Sequence, residues 1–244
     1  MTNNFELLRP LIAEKLPADR EHYNGYFLYI QLLARQSDDP MINGVKDPAY
    51  HGNMHSRALH DYFVYSLEQY DRLCPEWKDM CDNYNVRAYI RLNRRSDAGM
   101  AKEMERKLFE QRMKNTKYDE NGNLSTVANA MWQKPQKLLA SAAGVCNVEP
   151  KETLTWIVDL DKEYLPYEKD IRTMVAQCNS AYSNENMFTV PTKSAKHLLA
   201  HPFNQQMFYD LWRKHPELSK MKMLDIHKDN PTILYVNVKE KENV

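Results

Sequence analysis

The chain has 244 residues, 33 Lys+Arg against 33 Asp+Glu, and a 43% hydrophobic fraction. That length buries a sizeable core in one large domain or two small ones, and zero net charge leaves no chain-wide basic footprint for nucleic acid, so any basic surface is local. Only 6 glycines, none at Walker or dinucleotide spacing, argue against a Gly-rich phosphate loop.

The four cysteines Cys74, Cys81, Cys146 and Cys178 form no C-x-x-C pair and read as reduced thiols of a cytoplasmic protein. No apolar run is long enough to span a membrane, and Met1-Thr2-Asn3-Asn4 does not open a signal peptide.

Phe5 to Lys15 carries Phe5, Leu8, Leu11 and Ile12 at the spacing of a short amphipathic helix. Tyr26 to Leu33 reads as a strand, with a helix the alternative by length. Ser37 to Asn53 holds Asp-Pro and Asn-Gly turn signals and reads as a long loop, a feature often functional in compact domains. Ser56 to Tyr84 reads as helix, from Leu59, Tyr62, Phe63, Ser66, Leu67 and Tyr70, with a break or restart at Pro75. His51 and His55 are four apart, but no Glu follows His51, so they do not form the H-E-x-x-H zinc pattern; with His60 they read as structural or surface residues.

Val86 to Leu92 alternates as a half-buried strand, with Arg87, Tyr89 and Arg91 on its polar face. Arg87, Arg91, Arg94 and Arg95 form the densest arginine group in the chain. They read as a solvated sheet face or as a surface holding a nucleic-acid backbone. Ser96-Asp97 caps a helix to about Lys114. Asn115 to Asn123 is a polar turn region with Asn-Gly, and a second helix runs from Ser125 to Ala143, interrupted at Pro135 and ending at Gly144. There is no internal repeat. A boundary between Gly144 and Lys151 divides an N-terminal α/β module, residues 1–147, from a second module, residues 148–244, within one compact unit.

The second module reads as strand Leu154 to Asp161, helix Tyr167 to Tyr182, strand Met187 to Pro191, turn Thr192 to Lys196, strand His197 to His201, helix Asn204 to His215, strand Lys222 to His227, and a further strand Thr232 to Val236. The fold class is α+β, and this β-α-β-β-α-β order gives an antiparallel sheet with helices on one face. Its first and third strands are then central and adjacent, and the fourth lies on the other side of the first.

Asp159 and Asp161, two residues apart at a strand end, project to one face. Alone they read as solvated aspartates. Two carboxylates side by side otherwise call for a positive charge between them, and Mg²⁺ or Mn²⁺ with its preference for oxygen ligands is the usual solution. Thr192-Lys193-Ser194-Ala195-Lys196-His197 brings ammonium groups, hydroxyls and an imidazole suited to phosphate oxygens, or is an ordinary polar hairpin. Asp225, after Met223-Leu224, is a third carboxylate that the strand order brings near. Three carboxylates beside such a turn make a workable two-metal nucleotidyl-transfer arrangement.

Trp156-Ile157-Val158-Asp159-Leu160-Asp161, then Ala195-Lys196-His197, then Leu224-Asp225 resemble the three motifs of the archaeo-eukaryotic primase superfamily, the primase-polymerases. The resemblance covers residues 150 to 236. It implies an RRM-like catalytic sheet beside an N-terminal α/β module, Asp159, Asp161 and Asp225 as metal ligands, and His197 as a contact to the incoming nucleotide's phosphates. The resulting expectation is a Mg²⁺- or Mn²⁺-dependent nucleotidyltransferase acting on nucleic acid with nucleoside triphosphates, with no membrane partner and with replication proteins as possible partners. In it Lys193, Ser194 and Lys196 assist at the nucleotide, and Arg87, Arg91, Arg94 and Arg95 hold the template. The alternatives are a metal-dependent nuclease on the same carboxylates, or a single-strand-binding protein without chemistry. No role is assigned to His227.

Overall fold

A computed structural model describes residues 1–38, 56–118, 120–121, 124–127, 135–178, 187–229 and 231–237. In chain order its elements are β1 (Thr2–Asn3), α1 (Phe5–Ala13), β2 (Tyr26–Arg35), β3 (Ser56–Val64), α2 (Leu67–Tyr84), β4 (Arg87–Ser96), α3 (Asp97–Asn115), β5 (Thr116–Tyr118), β6 (Leu124–Val127), α4 (Pro135–Ala143), β7 (Trp156–Leu160), α5 (Glu168–Gln177), β8 (Phe188–Pro191), β9 (Lys196–Ala200), α6 (Gln205–Lys214), β10 (Ile226–His227) and β11 (Thr232–Val236). The fold is mixed α+β, built on two antiparallel sheets.

The first sheet runs β1-β11-β4-β2-β3. Its strands β2 and β4 put Leu28, Ile30, Leu32, Ala88, Ile90 and Leu92 on one face, as their period-two patterns require. That face is covered by Leu8 and Ile12 of α1 and by Tyr70, Trp77 and Cys81 of α2, all buried in one core. The second sheet runs β10-β7-β9-β8. β7 and β9 are central and adjacent, and β10 lies on the far edge of β7, the arrangement the order of elements predicts. Val158, Leu160, Leu198 and Ala200 on its inner face pack with Ile171 and Val175 of α5 and with Phe208 and Trp212 of α6. Each of these large side chains contributes about 1.5–3 kcal/mol by leaving water.

The two sheets share a core. Ile157, Val190 and Leu199 of the second are buried in the same cluster as Leu28 and Ile30 of the first. Chain connectivity also joins them, because β11 leaves β10 and returns to the first sheet beside β4. The Asn4 side chain donates to the carbonyls of Ile233 and Pro191, each at 2.9 Å, tying β11 to the end of β8. Asn93 of β4 brackets Thr155, accepting from its N–H at 2.8 Å and donating to its carbonyl at 3.0 Å, which fixes where β7 begins. Lys15 and Arg94 both reach Glu149 in the link between the modules, at 3.3 and 3.1 Å.

Several sequence readings are corrected. Residues 56–64 form a strand, not the start of a helix. Tyr62, Phe63 and Val64 are strand formers, and pairing them along β2 satisfies an edge that would otherwise be open. The helix begins at Leu67, where the Ser66 hydroxyl accepts from the Gln69 N–H at 3.2 Å and Gln69 reaches back to the Tyr65 N–H at 2.9 Å. Pro75 lies within α2 without ending it. The cost of one missing backbone bond is met by the packing of Tyr70, Trp77 and Cys81. Residues 124–127 are strand rather than helix, paired with β5 across the Asn121-Gly122 segment, and α4 starts at Pro135, a position where its missing N–H costs nothing. The predicted strand Lys222 to His227 narrows to Ile226–His227. His51, His55 and most of the predicted loop Ser37–Asn53 lie outside the described residues.

Candidate active site

Strand register assembles the site. On β7 the Asp159 position pairs with His197 of β9. On its other side Ile226 of β10 pairs with Val158, and the Asp159 N–H donates to the Asp225 carbonyl at 3.0 Å, which sets Asp225 beside Asp159. Paired residues on adjacent strands share a face. A row Asp225–Asp159–His197 therefore crosses three strands on the face opposite Val158 and Leu198. Asp161, two residues beyond Asp159, extends the acidic end just past the strand, and His227 sits beside Ile157 in the adjacent row.

This face opens into a cleft of about 510 Å³ between the sheets. Ile157, Asp159, Asp161, His197 and His227 line one side. Arg35 of β2 and Arg87 and Tyr89 of β4 line it from the first sheet, and Thr192 to Ala195 of the β8–β9 turn complete the lining. The turn is tight, with Thr192 N–H to Ala195 carbonyl at 2.9 Å, and the Thr2 hydroxyl donates to the Thr192 carbonyl at 3.1 Å. Lys193 is thereby held at the rim.

The charges on the acidic side are poorly compensated. Burial, then the neighbouring charges of Asp161 and Asp225, push the Asp159 carboxyl above the usual range, with His227 acting in the opposite direction. His197 is 3.7 Å from Asp159 through Nε2 and 2.8 Å from the Thr232 hydroxyl through Nδ1. Burial, assisted by His227, pushes its imidazole down to about 4, so at neutral pH it is uncharged. The Thr232 hydroxyl shares a hydrogen bond with Nδ1 and so orients the ring, with Nε2 turned toward Asp159. Among the described residues no group of three His, Cys, Asp or Glu side chains is already drawn together as a metal cage. The donor chemistry nevertheless suits a hard cation: two oxygen-bearing side chains on the cleft, a third on the adjoining strand, and a repulsion at Asp159 that a cation would relieve.

The predicted residues are distributed unevenly. Asp159, Asp161, His197, Lys193 and Ser194 line the cleft, and Asp225 adjoins it through β10. Lys196 is turned to Glu168 of α5, with Nζ 2.8 Å from the carboxylate. The arginine strand does not present the solvated polar face read from its alternation. Arg95 is fully buried, donating to the Ala143 and Asn93 carbonyls and to the Asp229 carboxylate. Arg91 donates to the Asp229 carbonyl, and Arg94 pairs with Glu149 and lies over the Tyr26 ring at 5.4 Å. Arg87 reaches the cleft while paired with Asp38. Tyr89, 4% exposed, accepts from Arg35 at 3.1 Å and Arg87 at 3.4 Å. His60 lies on β3 against Tyr62, with ring centroids 4.5 Å apart.

Arg35, Tyr89, His227 and Thr232 enter the site without having been assigned to it from sequence. Arg35 was findable, since Tyr29, Gln31, Leu33 and Arg35 share a face by period two. His227 and Thr232 depend on β10 and β11 diverging into different sheets, which no local pattern announces. No helix among the described residues is long and apolar enough to cross a membrane. No protein-family model, curated protein or solved structure matches the chain.

Proposed function

We propose that this chain is a metal-dependent nucleotidyltransferase of the primase-polymerase kind, in which the 3′-hydroxyl of a nucleic-acid strand attacks the α-phosphorus of a nucleoside triphosphate, the α–β phosphoanhydride bond breaks and pyrophosphate leaves. The observation that carries the reading is the row Asp225–Asp159–His197, extended by Asp161, facing Arg35, Arg87 and Lys193 across one cleft. An acidic side opposite a basic side fits a triphosphate that arrives with divalent cations. The second sheet's fourth–first–third–second strand order is that of an RRM-like sheet, in keeping with the motif resemblance.

Asp159, Asp161 and Asp225 are the residues that would hold Mg²⁺ or Mn²⁺. When bound, such a cation would supply charge to lower the pKa of an attacking hydroxyl and to offset charge on the transferred phosphoryl group. The neutral His197 would meet a phosphate oxygen through Nε2, in the tautomer that keeps its proton there, and the Thr232 hydroxyl fixes the ring's orientation. Lys193 and Ser194 supply an ammonium and a hydroxyl from the turn. Arg94, 20% exposed at its side chain and paired with Glu149, is the member of the arginine group we assign to a nucleic-acid backbone. Tyr89, read from sequence as part of an exposed polar face, is buried and hydrogen-bonded to Arg35 and Arg87, so it does not support the single-strand-binding alternative. The four cysteines are free thiols, in keeping with a reducing cytoplasm. Replication proteins are the class of partner this activity implies.

The test is a labelled primer–template incubated with Mn²⁺ and nucleoside triphosphates. Lengthening by the wild type, lost in Asp159→Ala/Asp161→Ala, is the expected result. Shortening without nucleotides assigns the same carboxylates to a nuclease, and robust lengthening by the double variant removes the assignment.

A further inference from the structure

One carboxylate on the basic side has no place in the reading above. Asp38 lies three residues beyond β2. Its N–H donates to the Arg35 carbonyl at 2.9 Å, and its carbonyl accepts from the Asn85 side chain at 3.1 Å, so its backbone is fixed at both ends. Its carboxylate accepts from Arg87 through Nε at 2.6 Å and Nη2 at 2.7 Å, and from Lys193 at 2.6 Å. The Asp38 and Arg87 side chains are 7% and 12% exposed. Burial alone would raise the Asp38 carboxyl, but the hydrogen bonds from Arg87 and Lys193 outweigh it and hold the group below the usual range.

A two-pronged guanidinium and an ammonium converging on one anion is the arrangement with which proteins hold phosphate. Here the two cations come from elements far apart in sequence, β4 and the β8–β9 turn, and both line the cleft. Arg35 joins them through the shared Tyr89 hydroxyl. Three cations against one carboxylate leave a net positive charge of two in a cleft that Asp159 and Asp161 also line.

We propose that Arg87 and Lys193 form a subsite for the terminal phosphates of a nucleoside triphosphate, and that Asp38 is an internal anion competing for it. The inference rests on the nucleotidyl-transfer reading and moves Arg87 from the nucleic-acid strand to the nucleotide. Asp38 then acts as a threshold. Weakly charged anions do not displace it from its two partners, while a triphosphate, with more charge and more acceptor oxygens, does.

The experiment is isothermal titration of the full chain at low ionic strength, without divalent cation, using inorganic tripolyphosphate and, separately, a nucleoside triphosphate. Asp38→Asn and Asp38→Ala are each expected to bind both ligands about tenfold tighter than the wild type, the scale set by losing one competing charge-assisted contact. Lys193→Met, on the exposed turn, is expected to bind about tenfold more weakly by the same scale. Equal or weaker binding by folded Asp38 variants overturns the competition and makes Asp38 a residue that positions Arg87 and Lys193. Unchanged binding by Lys193→Met overturns the subsite. A gain confined to tripolyphosphate overturns its assignment to a nucleotide. If wild-type primer extension fails while the Asp38 variants gain affinity, the polymerase reading falls and the anion subsite stands; extension without that gain removes only the present inference.

Discussion

Two groups of charge flank the central strands of this protein, and the fold resolves them in opposite ways. The arginines of β4 meet partners almost one for one: Arg95 with Asp229, Arg94 with Glu149, Arg87 with Asp38. The carboxylates at the end of β7 do not. Asp159 is partly buried beside Asp161 and Asp225, with a neutral His197 as its nearest basic group. In the sequence both groups look alike, as short runs of like charge on a strand. The difference is what burial costs. Arg95, fully buried and bonded to Asp229, is structural, whereas the carboxylates left uncompensated at the end of β7 suit a ligand that is not part of the chain.

The comparison is broken most severely by removing the uncompensated carboxylates. Asp159→Ala/Asp161→Ala is expected to lower primer extension by about 10³-fold or more, the scale of several kcal/mol of metal-assisted stabilisation. Its circular dichroism is expected to remain that of the wild type. Removing a compensated charge should do the reverse. Arg95→Ala leaves Asp229 with only the Asn93 amide as donor and the Ala143 carbonyl without the Arg95 Nε, and urea unfolding is expected to show a loss of about 3 kcal/mol. A loss below about 1 kcal/mol, the level of a surface pair, would place Arg95 with the solvated charges.

These two regions were not equally legible in the sequence. The carboxylates could be found because everything that positions them is local. Leu154 to Asp161 is a short apolar run ending in two aspartates at period two, and the β-α-β-β-α-β order brings His197 and Asp225 alongside. The arginine group was misjudged because its partners are remote. Asp229 is 134 residues from Arg95, Glu149 is 55 from Arg94, and Asp38 is 49 from Arg87. Alternation tells which side chains share a face, but not what covers that face. The β3 segment failed for another reason. Leu59, Tyr62 and Phe63 satisfy a helical spacing by coincidence, and the stronger signal was the Ser66-Leu67-Glu68-Gln69 cap, which starts the helix after them. The Asn121-Gly122 pair between β5 and β6 was likewise a hairpin signal read only as a turn.

A smaller effect separates the two regions by pH. The His197 imidazole titrates near 4 when folded, against about 6.5 when exposed. The unfolded chain therefore takes up a proton first. The His197 contribution is fully retained above about 6.5, is lost progressively as pH falls toward 4, and levels off below. Between pH 7 and pH 5 this amounts to about 2 kcal/mol. Urea unfolding of the wild type and His197→Gln at both pH values isolates it, since groups common to both chains cancel. The wild type is expected to lose more stability than the variant on acidification, and equal losses would mean that His197 is not buried as a neutral ring.

The most direct test of the uncompensated site is the thermal midpoint of Asp159→Asn with and without Mn²⁺. Burial and the charges of Asp161 and Asp225 hold the Asp159 carboxyl above its usual range, so at neutral pH its ionised form costs stability. Without Mn²⁺ the variant is expected to melt above the wild type, by about 1 kcal/mol of stability, because one repelling charge is gone. With Mn²⁺ the wild type is expected to rise past the variant, which gains little. A variant that melts below the wild type without metal, or that gains as much as the wild type from Mn²⁺, would contradict a carboxylate site left open for a cation.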